Sequence, residues 1–436
     1  MTGSTNAPDD PVWRRALYRG EELPHTPPDE EMRRGLALPR TLLPAPEGLS
    51  QPPVFDPALL QYPYAFRAGD PRFDDEATAR AWFRARRTAL DLVLAAVADS
   101  ALGARLVLRG SVLMATWCGA AAREPGDLDF LAPAGWAFEG PEAQALFPQI
   151  AQAAEATAAA WPHAQVRIDA AGAVTEDIWT YDRVPGRRLL LPWTAPGTAG
   201  GTVQIDVVHD EPLAAPAVPT PLRPLGDGPA RTVGAVTPEL SLAWKIMWLI
   251  GDIHPQGKDL YDAVLLADLA PLRYDVLRGA FVLAGDELLR PGGRWWLEEM
   301  RACADIGWEH FQSEHPHVTG TAAQYLERLS AALEPLVARA ERDAEAPSYE
   351  RWARWVGPLV DHVRATAPDV PASAVGRLAS AGRPGAQAAV VVVREVLGRA
   401  RVTVDEALAL VLAGDERWHR WRESPDSWHM VLDELR

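Results

Sequence analysis

The chain has little cysteine, almost no lysine and no long apolar run. Its two cysteines, Cys118 and Cys303, cannot build a disulfide framework, so a reducing cytoplasm is the expected compartment. The apolar run Ala388–Val393 falls far short of the roughly 20 residues that cross a bilayer, so no membrane partner is expected. The polar, acidic N-terminus reads as lacking a signal peptide. No Gly-x-Ser-x-Gly elbow occurs, which argues against an acyl-transfer triad, and no internal repeat is evident. A net charge of −16 argues against coating a polyanion, so DNA is not an expected partner. Any nucleic-acid contact would have to be local, through arginines such as Arg183, Arg187 and Arg188, unless these are simply solvated surface charge.

Only Lys245 and Lys258 among the 43 basic residues are lysine. An arginine bias of this size suits GC-rich coding. The closeness of the two lysines suggests either a site that wants a compact ammonium rather than a planar fork, or coincidence.

What is present is enough for a large core. The 436 residues are 48% apolar, which supports two or more domains. Residues 1–74 are proline-rich and short of periodic pattern, so they read as an extended arm whose aromatic end (Tyr62, Tyr64, Phe66) packs on the core. Residues 75–236 alternate helix and strand: a helix over Glu76–Asp99, strands near Arg105–Leu108, Leu128–Leu131, Gln165–Ile168, Arg188–Leu191 and Val203–Val208, and an alanine-rich helix over Pro141–Ala160. From Thr237, an N-cap followed by Pro238 and Glu239, the pattern turns helical. Further helices are expected at Asp259–Leu269, Arg294–His310, Thr321–Arg342, Ser348–Ala365, Ala386–Gly398 and Val404–Gly414. This helical part divides into 237–345 and 346–436, and the fold class is mixed α/β followed by helices.

Three pieces carry chemistry. Gly110-Ser111 follows a strand and opens a helix. Glycine allows close backbone approach, and the free N–H groups of a helix start favour an anion, so the turn reads as a phosphate cradle or as an ordinary cap. Asp127 and Asp129 alternate with apolar residues and share one strand face; paired carboxylates repel unless a cation or a proton joins them. Magnesium accepts a few carboxylates plus phosphate oxygens, whereas a solvated pair at a strand entrance would need no ligand. Asp206 lies within Val203-Gln204-Ile205-Asp206-Val207-Val208, where a charge is costly unless it binds metal or pairs with an arginine. Three such acids can hold two ions about 3.5–4 Å apart in phosphoryl transfer. Arg123, just ahead of Asp127, is a candidate phosphate clamp. Lys245 shares a helix with Trp244 and Trp248, so its stem can pack while its head reaches an anion.

Together, Leu108-Arg-Gly-Ser111, Arg123-Glu-Pro-Gly-Asp127-Leu-Asp129-Phe, Gln204-Ile-Asp206-Val, the Thr237–Ile246 run and Lys258-Asp259-Leu-Tyr-Asp262 resemble the AbiEii/AbiGii-type (MenA-like) toxin nucleotidyltransferases over about residues 75–270. The resemblance implies a pol-β-like mixed sheet with flanking helices in 75–236, and a helical region 237–345 that completes the site. It implies that Asp127 and Asp129 hold two Mg²⁺ ions, or Mn²⁺ in their place. Asp206 would complete that metal site or activate the acceptor. Lys245 would contact the triphosphate or the transition state, Asp259 would fill the late acidic motif, and Gly110, Ser111, Arg123 and Lys258 would bind the nucleotide. The expected reaction moves NMP from an NTP to an acceptor hydroxyl, a tRNA 3′ end, in a toxin-like or phage-defence role with a cognate antitoxin. The competing readings are a small-molecule, aminoglycoside-type acceptor and a nucleotide-binding module without turnover. Gln204 stands where the family often has lysine.

Other signals are discounted. Gly251–Lys258 has the wrong spacing for a P-loop and follows a helix. Cys303, His310, His315 and His317 fit no familiar zinc spacing. The Trp352/Trp355 and Trp418/Trp421 pairs read as core packing before base stacking.

Overall fold

A computed structural model describes residues 12–132, 138–180, 184–209, 211–252, 254–285, 288–303 and 306–436; Arg183 lies outside them. The chain forms two compact units, one comprising residues 1–211 and 217–235, the other residues 212–216 and 236–436.

Between Val12 and Phe73 the first unit carries more local structure than its prolines suggest. Short helices span Val12–Arg19 and Glu30–Gly35, and β1 (Pro53–Phe55) pairs antiparallel with β2 (Phe66–Ala68). Trp13, Leu17, Leu23, Leu36, Leu38 and Leu42 form their own buried cluster, with Tyr64 and Phe66 packed against it. The prolines end elements here without preventing burial, and the segment is more than an extended arm.

The main sheet is built from β3 (Val107–Arg109), β4 (Asp127–Leu131), β5 (Arg167–Ile168), β6 (Val174–Thr180), β7 (Val184–Thr194), β8 (Gly201–Val208), β9 (Val218–Pro221) and β10 (Thr232–Ala235). Its order among the described residues is β5-β7-β8-β4-β3-β10-β9, with β6 on β7. The β4–β8 and β3–β10 pairs are parallel and the rest antiparallel. One face is apolar: Leu128, Phe130, Leu189, Leu191, Val203, Ile205 and Val207 are all buried. The Glu76–Ala98 helix, capped by Asp75, packs against β8 and against the Pro141–Ala160 helix. Trp82 of the first helix donates its indole N–H to Gly200 O at 2.6 Å. This burial holds the sheet, and period-two alternation then leaves the other face to polar side chains.

The second unit is helical in its described residues, apart from short connections. Thr237 caps Pro238–Gly251 by accepting from Leu240 N at 3.2 Å. Gly257–Leu269, Tyr274–Ala284, Trp295–Ala302, Trp308–Glu314, Ala322–Ala344, Ser348–Trp355, Gly357–Thr366, Gly382–Leu397, Val404–Gly414 and Pro425–Leu435 follow. Two expected helices are each divided. Arg294–His310 ends at Cys303 and restarts after Gly307, whose φ of 59° lies in the left-handed region. Ser348–Ala365 breaks at Val356, ahead of Gly357-Pro358, because proline offers no N–H to continue the ladder. Trp352, Trp355 and Trp418 are buried, as core packing requires. Among the described residues no helix is long and apolar enough to cross a membrane.

Candidate active site

The register of the sheet brings the distant acids together. Arg109 of β3 stands opposite Asp129 of β4, Asp129 opposite Asp206 of β8, and Asp206 opposite Arg188 of β7. Partners in adjacent strands project to the same side, so these four form one row, cation–anion–anion–cation. Asp127 lies opposite Gln204 on the same face. Asp206 is therefore on the Asp127/Asp129 side of the sheet. Asp127 and Asp129 are half-buried while Leu128 between them is fully buried.

The glycine turn closes onto this row. Gly110 has φ +87°, and a Cβ there would fall 2.5 Å from Asp129 Oδ2. Backbone approach of that kind is open only to glycine. The Ser111–Cys118 helix starts directly after it. Ser111 is buried, and its hydroxyl donates to Asp127 Oδ1 at 3.1 Å. The turn that offers helix-start N–H groups is thus in contact with the carboxylate pair.

Asp206 is held differently. Arg188 donates Nε to its Oδ1 and Nη2 to its Oδ2, both at 2.8 Å, and Gln204 Nε2 donates to Oδ2 at 3.2 Å. Burial pushes the Asp206 carboxyl above the ordinary carboxylate range against the pull of Arg188, and the negative charges of Asp56 and Asp127 add to the rise. At the other end of the row, Arg109 pairs with Glu211 at 2.8 Å.

Among the described residues no three His, Cys, Asp or Glu side chains are grouped as a metal site. The half-buried carboxylates of Asp127 and Asp129 still suit one hard cation that keeps water and phosphate oxygens as its other ligands. Asp206, expected as a third ligand, gives both oxygens to an arginine. The arginine-patch reading is corrected for Arg188, which is buried in ion pairs rather than displayed to a partner. Arg187 pairs with Asp177 at 3.0 Å.

The remaining expected residues are placed as follows. Arg123 is half-buried in the connection before β4. In the second unit, Lys245 Nζ donates to Asp259 Oδ1 at 2.7 Å, lies 3.4 Å from Asp262 Oδ2 and sits 4.7 Å from the Trp248 ring centre. Lys245, Asp259 and Asp262 are all buried. Lys258 is half-buried in the first turn of the Gly257–Leu269 helix. Sequence reasoning did not single out Asp56 or Glu211, nor the specific pairing of Arg188 with Asp206. An arginine abutting the apolar Leu189–Leu191 run was the available signal for that pairing.

The model of the family described as nucleotidyl transferase AbiEii toxin, of type IV toxin–antitoxin systems, matches residues 92–370. The chain belongs to the AbiEii nucleotidyltransferase toxin family. The match spans both units and takes in Gly110, Asp127, Asp129, Asp206, Lys245 and Asp259. Among solved structures, this AbiEii chain is similar to MenT4, the nucleotidyltransferase toxin Rv2826c from Mycobacterium tuberculosis H37Rv. The identity is 15% and the TM-score 0.39, over 75% of this chain and 92% of that chain. No curated protein matches the chain. As an AbiEii protein, the chain is a nucleotidyltransferase, and the paired acids beside the glycine turn are the candidate seat of its chemistry.

Proposed function

We propose that this enzyme transfers a nucleoside monophosphate from an NTP to the 3′-terminal hydroxyl of a tRNA, and that it is restrained by an antitoxin. The observation that carries the catalytic part is the in-register row of Asp129 and Asp206, with Asp127 on the same face and the Gly110-Ser111 turn against it. The helix start at Ser111 binds the triphosphate through its free N–H groups. Asp127 and Asp129 would hold a Mg²⁺ or Mn²⁺ ion, which when bound would neutralise charge on the phosphates. The acceptor oxygen forms a bond to the α-phosphorus, the bond from that phosphorus to the bridging oxygen breaks, and pyrophosphate leaves. Asp206, in register with Asp129, is proposed to take the proton of the acceptor hydroxyl. In this reading Asp127 and Asp129 hold the cation, and Asp206 is tied to Arg188. Lys245 is proposed to serve the triphosphate, and Arg123 and Lys258 to help bind it.

A second reading has its own support. The net charge of −16, with Arg188 buried and Arg187 paired, offers little to a long polyanion, and this favours a small hydroxyl acceptor of the aminoglycoside kind. Incubation with each labelled NTP, Mg²⁺ and either total tRNA or an aminoglycoside panel separates the two. Label entering tRNA is the expected result. Label entering only the small molecules would replace the tRNA reading, and NTP binding without pyrophosphate from any acceptor would leave a binding module.

A further inference from the structure

Arg188 stands between two acids from distant parts of the chain. Besides its fork to Asp206, its Nη1 donates to Asp56 Oδ2 at 2.6 Å. Relative exposure is 2% for Arg188 and 7% for each acid. Asp56 belongs to the N-terminal segment, where it also accepts from Ala58 N at 3.0 Å and so caps the turn that follows β1. Arg67 of β2 lies 3.8 Å from the same Asp56 oxygen. The segment that precedes the sheet thus places a charged side chain behind the reacting row.

Burying such a cluster is expensive, and well-packed apolar side chains often stabilise a fold at least as well. What the cluster adds is geometry. A guanidinium fork fixes the plane of the carboxylate it binds, and that carboxylate is the register neighbour of Asp129. Asp56 in turn occupies the third arm of the guanidinium and stops it from turning.

We propose that Arg188 and Asp56 are positioning residues for nucleotidyl transfer: Arg188 fixes the Asp206 carboxylate beside Asp129, and Asp56 fixes Arg188. The N-terminal segment is then a working part of the catalytic face. This inference rests on the reading of Asp127, Asp129 and Asp206 as that face.

The test compares kinetics, NTP binding by calorimetry and thermal unfolding in the full chain. Asp56→Asn keeps the shape and removes the charge. It should lower kcat by on the order of 10–100-fold with KM and NTP affinity unchanged, as expected for a displaced reacting group. In an Asp206→Asn background it should add no further loss, because the two act through one arginine. Gln61→Ala is the control: Gln61 ties the same segment to β6 by donating Nε2 to the main-chain oxygen of Asp177 at 2.7 Å, so the variant removes an anchor of the segment and no charge. It should leave kcat at the parental value. Should Asp56→Asn not fold, Arg188→Lys, which keeps the cation and loses the fork, should show the same split between kcat and KM. Parental kcat in the folded variant, equal losses in Asp56→Asn and Gln61→Ala, or full additivity with Asp206→Asn would overturn the inference while the functional reading stands. A parental chain that transfers nothing to any acceptor would remove both.

Discussion

Asp127 and Asp129 are the residues on which the proposed chemistry depends most. Replacing either with asparagine keeps the side-chain shape but removes half of the anionic pair. Each variant should fold normally by circular dichroism and lose at least about 100-fold in kcat, as expected when electrostatic stabilisation at the reacting centre is lost. Normal activity in Asp129→Asn would remove that residue from the site. Asp91 makes a different prediction. It is buried and accepts from the backbone N–H groups of Leu225, Gly226 and Gly228, at 2.8, 2.8 and 3.3 Å. Burial outweighs those bonds and lifts its pKa from 3.8 to about 6. As pH rises between these values the unfolded chain loses the proton first, so the contribution to stability is full below about pH 4 and lost as pH passes 6. The displacement corresponds to about 3 kcal/mol at about 1.4 kcal/mol per pH unit. Urea midpoints measured from pH 4 to 7 should fall with pH in the parental chain, and this component should be absent in Asp91→Asn. A parallel fall in the variant would assign it to other groups.

At the scale of elements, the turn from β3 into the Ser111–Cys118 helix is the least replaceable piece. A side chain at Gly110 meets both a left-handed φ and the Asp129 carboxylate. Gly110→Ala should cost about 1–3 kcal/mol of stability, read from denaturant midpoints, and should lower kcat by more than that loss of folded protein explains. Unchanged kcat would mean that the turn has no part in holding the phosphates. This turn and its neighbours were legible in the sequence, because apolar and polar residues alternate through residues 127–130 and 203–207 and the cap at Thr237 announces its helix. The strands that escaped notice have physical reasons to do so. β6 carries Thr175, Glu176 and Asp177 and, among the described residues, pairs with β7 alone; Glu176 is buried opposite Arg188, where it accepts from the N-terminal segment, so β6 lacks the apolar alternation of a core strand. β9 contains Pro219 and Pro221, which suit an edge strand and break the usual strand signature. Arg188 shows the limit for the site itself. Alternation placed Asp206 on a face, but only the register of β7 against β8 identifies which arginine meets it.

At the scale of the whole molecule, the family match joins the sheet unit to helices of the second unit, where Lys245 is held by Asp259 and Asp262. Lys245→Met would leave two buried acids without their cation and should destabilise the chain by about 3–5 kcal/mol. Lys245→Arg keeps the charge and should preserve most of the stability while lowering kcat, because a planar guanidinium does not replace a compact ammonium at a phosphate. Full activity in the arginine variant would confine Lys245 to a structural role. The sequence marked both lysines through their rarity, yet the acid partner Asp262 emerged as such only from the helical packing, since it lies a turn beyond Asp259 on the same buried helix face.

The most direct measurement is pyrophosphate release matched to label transfer, with each α-labelled NTP, Mg²⁺ and total tRNA, for the parental chain and for Asp127→Asn/Asp129→Asn. One pyrophosphate for each nucleotide transferred, with both signals lost in the double variant, is the expected result. Transfer that persists in the folded double variant would contradict the assignment of the chemistry to this pair of acids.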